Sequence, residues 1–241
     1  MEAGGIAAIV GAAIVTGFAK SGLPGLGILI PALAAMAMPA RASTGFILPV
    51  LIEGDALAVA YWRRKASWPS LLRVLPWTAL GIVAGYFLMG LLSDAAFKPL
   101  LGAMILAIVA LDLVRRIAKL DLRVQSRAFA AVIGILAGAF TMIANAAGPV
   151  MTIYLLSMGL SKDEFVGTGA WFYFIINLFK LPFSVALGLV TWSTFKIDLA
   201  LLPLVLAGSA GGILVMKKLP QKAFDITAQV LAVVGGIRLF F

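Results

Sequence analysis

Apolar residues run along this chain in ten stretches, at about 4–19, 25–38, 42–62, 70–92, 96–114, 128–143, 148–160, 165–190, 198–216 and 223–240. Runs of this kind predict membrane-embedded helices, since a full span of the hydrocarbon core takes about 20 residues at 1.5 Å rise each. Four stretches, 4–19, 25–38, 128–143 and 148–160, are short for that purpose. They form two pairs, each opening one half of the chain. Within each pair glycine, proline and small residues interrupt the apolar run: AKSGLPGLG in the first half and MIANAAGPV in the second.

Composition agrees with the pattern. Of 241 residues, 63% are hydrophobic and 12% charged, with a mean hydropathy of +1.10; a soluble domain is about half apolar and a quarter charged. Lipid is therefore the solvent for much of the surface. Cysteine and histidine are absent, which excludes a disulfide framework, a Cys/His metal site, a thiol nucleophile and a His-based relay or triad. No cofactor and no metal are implied. The opening MEAGGIAAIVGAA lacks the basic region of a secretory signal, so the first stretch is expected to be retained.

The net charge of +9 reads as a topology signal, not a nucleic-acid surface. If successive stretches return the chain, fourteen of the nineteen lysines and arginines fall in alternate loops and four on the other side, while Lys180 lies inside a stretch. Basic loops stay in the cytoplasm. The expected protein is a multi-pass plasma (bacterial inner) membrane protein with both termini outside.

The two halves resemble each other. Leu75-Pro76, Gly81, Gly85 and Ala96-Phe97 recur 127 residues later as Leu202-Pro203, Gly208, Gly212 and Ala223-Phe224; Gly45 and Trp68 recur after 124 as Gly169 and Trp192; Gly17 and Gly27 recur after 121 as Gly138 and Gly148. Five segments per half is an odd number, so the second copy enters from the opposite face, as in many secondary transporters. The predicted fold is all-α: about eight to ten transmembrane or half-membrane helices in two inverted five-segment repeats, 1–122 and 123–241, with helix-breaking Gly/Pro turns.

Broken backbone at membrane depth is tolerated where protein or a water-filled cavity surrounds it. If the breaks dip inward, short helices start at about Gly25–Gly27 and Gly148–Pro149, and their free N–H groups suit an anion. Pro149 fits a first helical turn, where its missing N–H costs nothing. Ser21 and Asn145 then cap or contact a ligand, and Lys20 adds a full charge. If the breaks are surface turns, Lys20 only marks the cytoplasmic side.

Charge also lies inside the stretches. Glu53 and Asp55 are near the centre of the third, Asn177 and Lys180 in the eighth, and Glu53 aligns with Asn177 after 124 residues. Such groups normally face a cavity or a partner. Asn177 and Lys180, three apart, share a helix face. Glu53 and Asp55, two apart, diverge by about 200° and meet one cavity only if Pro49 or Gly54 distorts the helix. Either Lys180 pairs with a carboxylate, or Lys180 attracts an anion while Glu53 or Asp55 carries a coupling proton. Asp112 reads as a partner for Arg115 and Arg116. The tryptophans near segment ends suit an interfacial belt. Gly81-xxx-Gly85 and Gly208-xxx-Gly212 allow close helix packing, within one chain or in a homodimer.

GFAKSGLPGLGILIPAL followed by MPARA, then LLRVLPWTALGIVAG, IANAAGPVMTIYLLSMGLSKDEF and FIINLFKL resemble the sulfite exporter TauE/SafE family over nearly the whole chain. The resemblance implies a permease exporting small sulfur oxyanions, such as sulfite or organosulfonates like sulfoacetate. It also implies that Gly25, Gly27, Asn145, Gly148 and Pro149 form the substrate site, joined by Lys20, Asn177 and Lys180. The expected partners are a small anionic substrate and the lipid bilayer. Three functions are thus in play: an anion exporter working by alternating access, an intramembrane lipid-phosphate hydrolase, and an accessory subunit. A permease for another small anion is a variant of the first. The hydrolase would draw on Glu53, Asp55 and Ser21, with no histidine, no G-x-S-x-G and no metal-ligand spacing to support it.

Overall fold

A computed structural model describes residues 3–22, 26–91, 126–224 and 227. Every described element is helical: α1 (Ala3–Ser21), a 3-10 turn (Leu26–Ile28), α2 (Leu29–Ala37), α3 (Ala40–Trp62), a second 3-10 turn (Arg63–Lys65), α4 (Trp68–Leu91), α5 (Arg127–Ala144), α6 (Ala147–Ser157), α7 (Lys162–Ala186) and α8 (Trp192–Lys218). The expected stretches at 96–114 and 223–240, the Asp112 pairing and the boundary at 122/123 lie outside or largely outside the described residues.

Among the described residues six helices are long and apolar enough to cross a membrane: α1, α3, α4, α5, α7 and α8. Two of them, α1 and α5, begin and end beyond the short stretches expected at 4–19 and 128–143. The helix of α1 runs on through Lys20 and Ser21. That of α5 starts at Arg127, where the Ser126 hydroxyl accepts from the Phe129 N–H. Only α2 and α6, at 9 and 11 residues, stay well short of a span. Local chemistry sets the other starts. Ser161 and Glu164 close a capping box on α7, and Thr191 and Thr194 one on α8, each satisfying N–H groups that the first turn leaves free.

Large side chains on the outer faces remain exposed, among them Leu72, Leu80 and Phe87 of α4 and Leu199 and Leu214 of α8. In lipid this exposure carries no penalty. Inside, Leu71, Ile82, Ile133, Tyr154 and Phe172 belong to one buried cluster, and Ala13, Ile30, Ala34, Ile47 and Val205 to another.

Glycine sets the closest helix approaches. A Cβ at Gly17 would lie 2.0 Å from the Val205 carbonyl oxygen, and one at Gly208 would lie 2.1 Å from that of Ile14. Across the other pair, a Cβ at Gly138 would lie 2.1 Å from the Thr78 oxygen and one at Gly81 2.2 Å from that of Ile135. The α1–α8 and α4–α5 contacts thus use equivalent positions, offset by 121 residues on α1/α5 and by 127 on α4/α8. Both GxxxG pairs are spent on packing within the chain.

Gly208→Ala and Gly138→Ala should each lower stability by about 1–3 kcal/mol, since the helices must separate to admit the methyl group. Gly90→Ala, with nothing within 4 Å of the added carbon, should not. Thermal unfolding of the three variants in detergent checks this; equal midpoints would contradict the packing.

Candidate functional site

The two breaks meet. A cavity of about 80 Å³ is lined by Lys20, Gly22 and Gly27 from the first break, and by Asn145, Ala146, Gly148 and Pro149 from the second. The α7 side chains Tyr173 and Asn177 complete its polar wall, with Thr141 and Thr152 from α5 and α6. Since one water needs about 10–15 Å³, the space suits a solute of a few heavy atoms.

Each break is built by its neighbours. The α5 helix ends because Asn145 takes the left-handed conformation, φ 54°, which asparagine tolerates better than most residues. Its side chain is held at both ends: Nδ2 donates to the Thr44 carbonyl at 2.9 Å and Oδ1 accepts from Lys180. After Ala146 the chain re-enters a helix with Gly148 and Pro149 in the first turn. At the first break, the Trp62 indole N–H donates to the Ser21 carbonyl at 3.0 Å, satisfying an acceptor freed at the end of α1. Trp62 is accordingly buried, unlike an interfacial anchor.

A buried charge network joins the two breaks. Lys20 Nζ lies 2.8 Å from Asp55 Oδ1 and 4.2 Å from the centre of the Tyr173 ring. Asn177 Nδ2 donates to Asp55 Oδ2 at 2.7 Å. Lys180 donates to the Thr141 carbonyl and hydroxyl, at 3.1 and 3.3 Å, and to Asn145. Three acceptors match the three donors of an ammonium. The carboxylate partner inside the protein is therefore Lys20's, and Lys180 orients Asn145. Gly54 makes the ion pair feasible: a Cβ there would meet Thr16 Cγ2 at 2.9 Å and Lys20 Cγ at 3.3 Å.

The other residues singled out from the sequence divide. Lys20, Gly27, Asn145, Gly148, Pro149 and Asn177 line the cavity, and the Asn177 Oδ1 has no hydrogen-bond partner. Lys180 stands behind Asn145. Ser21 is turned away, its hydroxyl 2.7 Å from that of Ser209 on α8. Gly25 lies outside the described residues. α3 runs as one helix through Pro49 and Gly54, so Asp55 faces α1 and α7 while Glu53 does not join it. Tyr173 and Thr141 were missed by the sequence reading. Their signal was spacing: Tyr173, Asn177 and Lys180 fall at i, i+4 and i+7 on one face, and Thr141 lies one turn before Asn145.

Long apolar helices around a small, charge-lined internal cavity are the build of a multi-pass membrane transporter. The family model of the sulfite exporter TauE/SafE matches residues 6–239, nearly the whole chain, and the chain belongs to that family. It is accordingly a membrane transporter of the sulfite-anion class, not an enzyme, and the hydrolase reading falls. Neither a search of curated proteins nor one of solved structures returns a match.

Asp55→Asn should cost about 3–5 kcal/mol, because it strands the Lys20 ammonium in a largely buried position. Adding Lys20→Met should restore most of the loss. Unfolding midpoints of the single and double variants test the pair; a single variant as stable as the parent would rule it out.

Proposed function

We propose that this protein exports a small sulfur-containing monoanion, sulfite as hydrogen sulfite or an organosulfonate such as sulfoacetate, from the cytoplasm by alternating access. The observation that carries the reading is the cavity where the two helix breaks meet, with Lys20, Asn145 and Asn177 on its wall. Lys20 and Lys180 as ammonium groups against one Asp55 carboxylate leave a net positive charge, which a monoanion neutralises. Lys20 is the direct counter-charge. Asn177 and Asn145 each have a second amide N–H to donate, the first being spent on Asp55 and on the Thr44 carbonyl, and Gly148 keeps the start of α6 open, with nothing within 4 Å of where a Cβ would stand. A helix start of that kind favours negative charge.

The matched glycine registers of α1–α8 and α4–α5 support an inverted repeat, with one half rocking against the other about the cavity. In that arrangement the first break reaches the cavity from the cytoplasmic face and the second from outside, with both termini outside the plasma membrane. An inside-negative potential then drives a monoanion outward with about 2.3 kcal/mol per 100 mV. A homodimer is not needed to close the site, since both breaks come from one chain.

Proteoliposomes loaded with sulfite test the proposal. Flux should saturate and accelerate when the loaded side is made negative. Asn177→Leu and Lys20→Gln should raise KM about 10- to 100-fold, the loss of one charge-assisted or ligand-facing hydrogen bond of about 1.5–3 kcal/mol. No flux of sulfite or any sulfonate by the parent protein, or an unchanged KM in folded variants, would refute the site.

A further inference from the structure

A second group of acids lies on the opposite side of α3 from the cavity. Asp198 sits seven residues into α8, fully buried, and neither of its carboxyl oxygens has a hydrogen-bond partner. Glu53 lies on α3, against which α8 packs, and Glu53 Oε2 is buried without a partner as well. α8 packs against α1 and α3, so the charged groups that bear on this pair can be named. On α1 the only described charge is Lys20, committed to Asp55. On α3 there are Arg41, which donates to the Met89 carbonyl, and Asp55. On α8 there are Lys196, over the Trp192 ring, and Lys217 and Lys218 in the last turn. No ammonium or guanidinium among the described residues pairs with Glu53 or Asp198.

Two buried carboxylates on packed helices and without a counter-ion are costly in a low dielectric, and a positive charge must neutralise at least one of them. Calcium or magnesium asks for six or more oxygen ligands, and among the described residues no three His, Cys, Asp or Glu side chains are grouped so as to hold a metal ion. A proton needs no more than the two carboxyls present.

We propose that Glu53 and Asp198 form a proton-binding site between α3 and α8, separate from the anion cavity. In the packing seen here a proton on the fully enclosed Asp198 carboxyl removes one of the two charges. Releasing it leaves two negative charges that push α3 and α8 apart. Because α3 also carries Asp55, the holder of Lys20, that displacement reaches the cavity. The site is thus a means of coupling protons to anion movement; only this coupling, not the proton site itself, rests on the transport reading above.

The test uses the full-length protein in lipid vesicles and does not depend on flux. A membrane-permeant carbodiimide adds across a protonated, water-shielded carboxyl, and peptide mass mapping locates the adduct. The expected result is labelling at Glu53 or Asp198 that falls as pH rises, together with a protonated-carboxyl band in the infrared pH-difference spectrum. The band should vanish in both Asp198→Asn and Glu53→Gln. Labelling confined to Asp55, labelling at neither acid, or a band that persists in both variants would overturn the assignment. So would protection by sodium at constant pH, which would make the occupant a metal cation. Should the variants not fold, the labelling of the parent protein decides. If sulfite flux is present, its response to an imposed pH difference should be lost in Asp198→Asn; absence of all flux would sink the transport reading and leave the labelling result standing.

Discussion

Everything about the interior follows from one buried carboxylate. Asp55 is fully enclosed, and a lone charge at that depth is expensive enough that its surroundings must answer it. Lys20 answers by closing to 2.8 Å, Asn177 by donating an amide N–H. Bringing Lys20 that close requires α1 to lie against α3, which Gly54 permits. It also requires the end of α1 to be fixed, which the Trp62 and Ser209 contacts achieve. The first helix break is thereby held beside the cavity by electrostatics together with the close packing of Gly22 on Gly212.

The second break is held differently. Lys180 spends all three donors on Thr141 and Asn145, so a single ammonium locks the left-handed turn that separates α5 from α6. One lysine thus lines the cavity and the other shapes the backbone that borders it. Two lysines of similar depth perform unlike tasks because their available acceptors differ in number.

Close glycine packing makes the scaffold rigid enough for this division. At α1–α8 and at α4–α5, backbone meets backbone where a side chain would intervene, and in lipid such approach replaces the hydrophobic drive that water would supply. These pairs leave α3 and α7 to carry the polar groups between them. α3 presents Asp55 to one side and Glu53 to the other, two residues apart, so one helix serves two buried charge sites.

Much was legible in the order of residues alone. Lipid as solvent, the described helices, the break at Asn145 and the matched glycines are local or periodic features, set by composition and by the chemistry of single residues such as Pro149 and Asn145. What only the tertiary structure decided was which polar groups meet: Asp55 with Lys20 in place of Lys180, and Ser21 with Ser209 in place of the cavity. The reason is angular. On a helix each residue turns the side chain by 100°, so partners depend on the rotation and depth of every helix about its own axis, and packing across the whole bundle sets those.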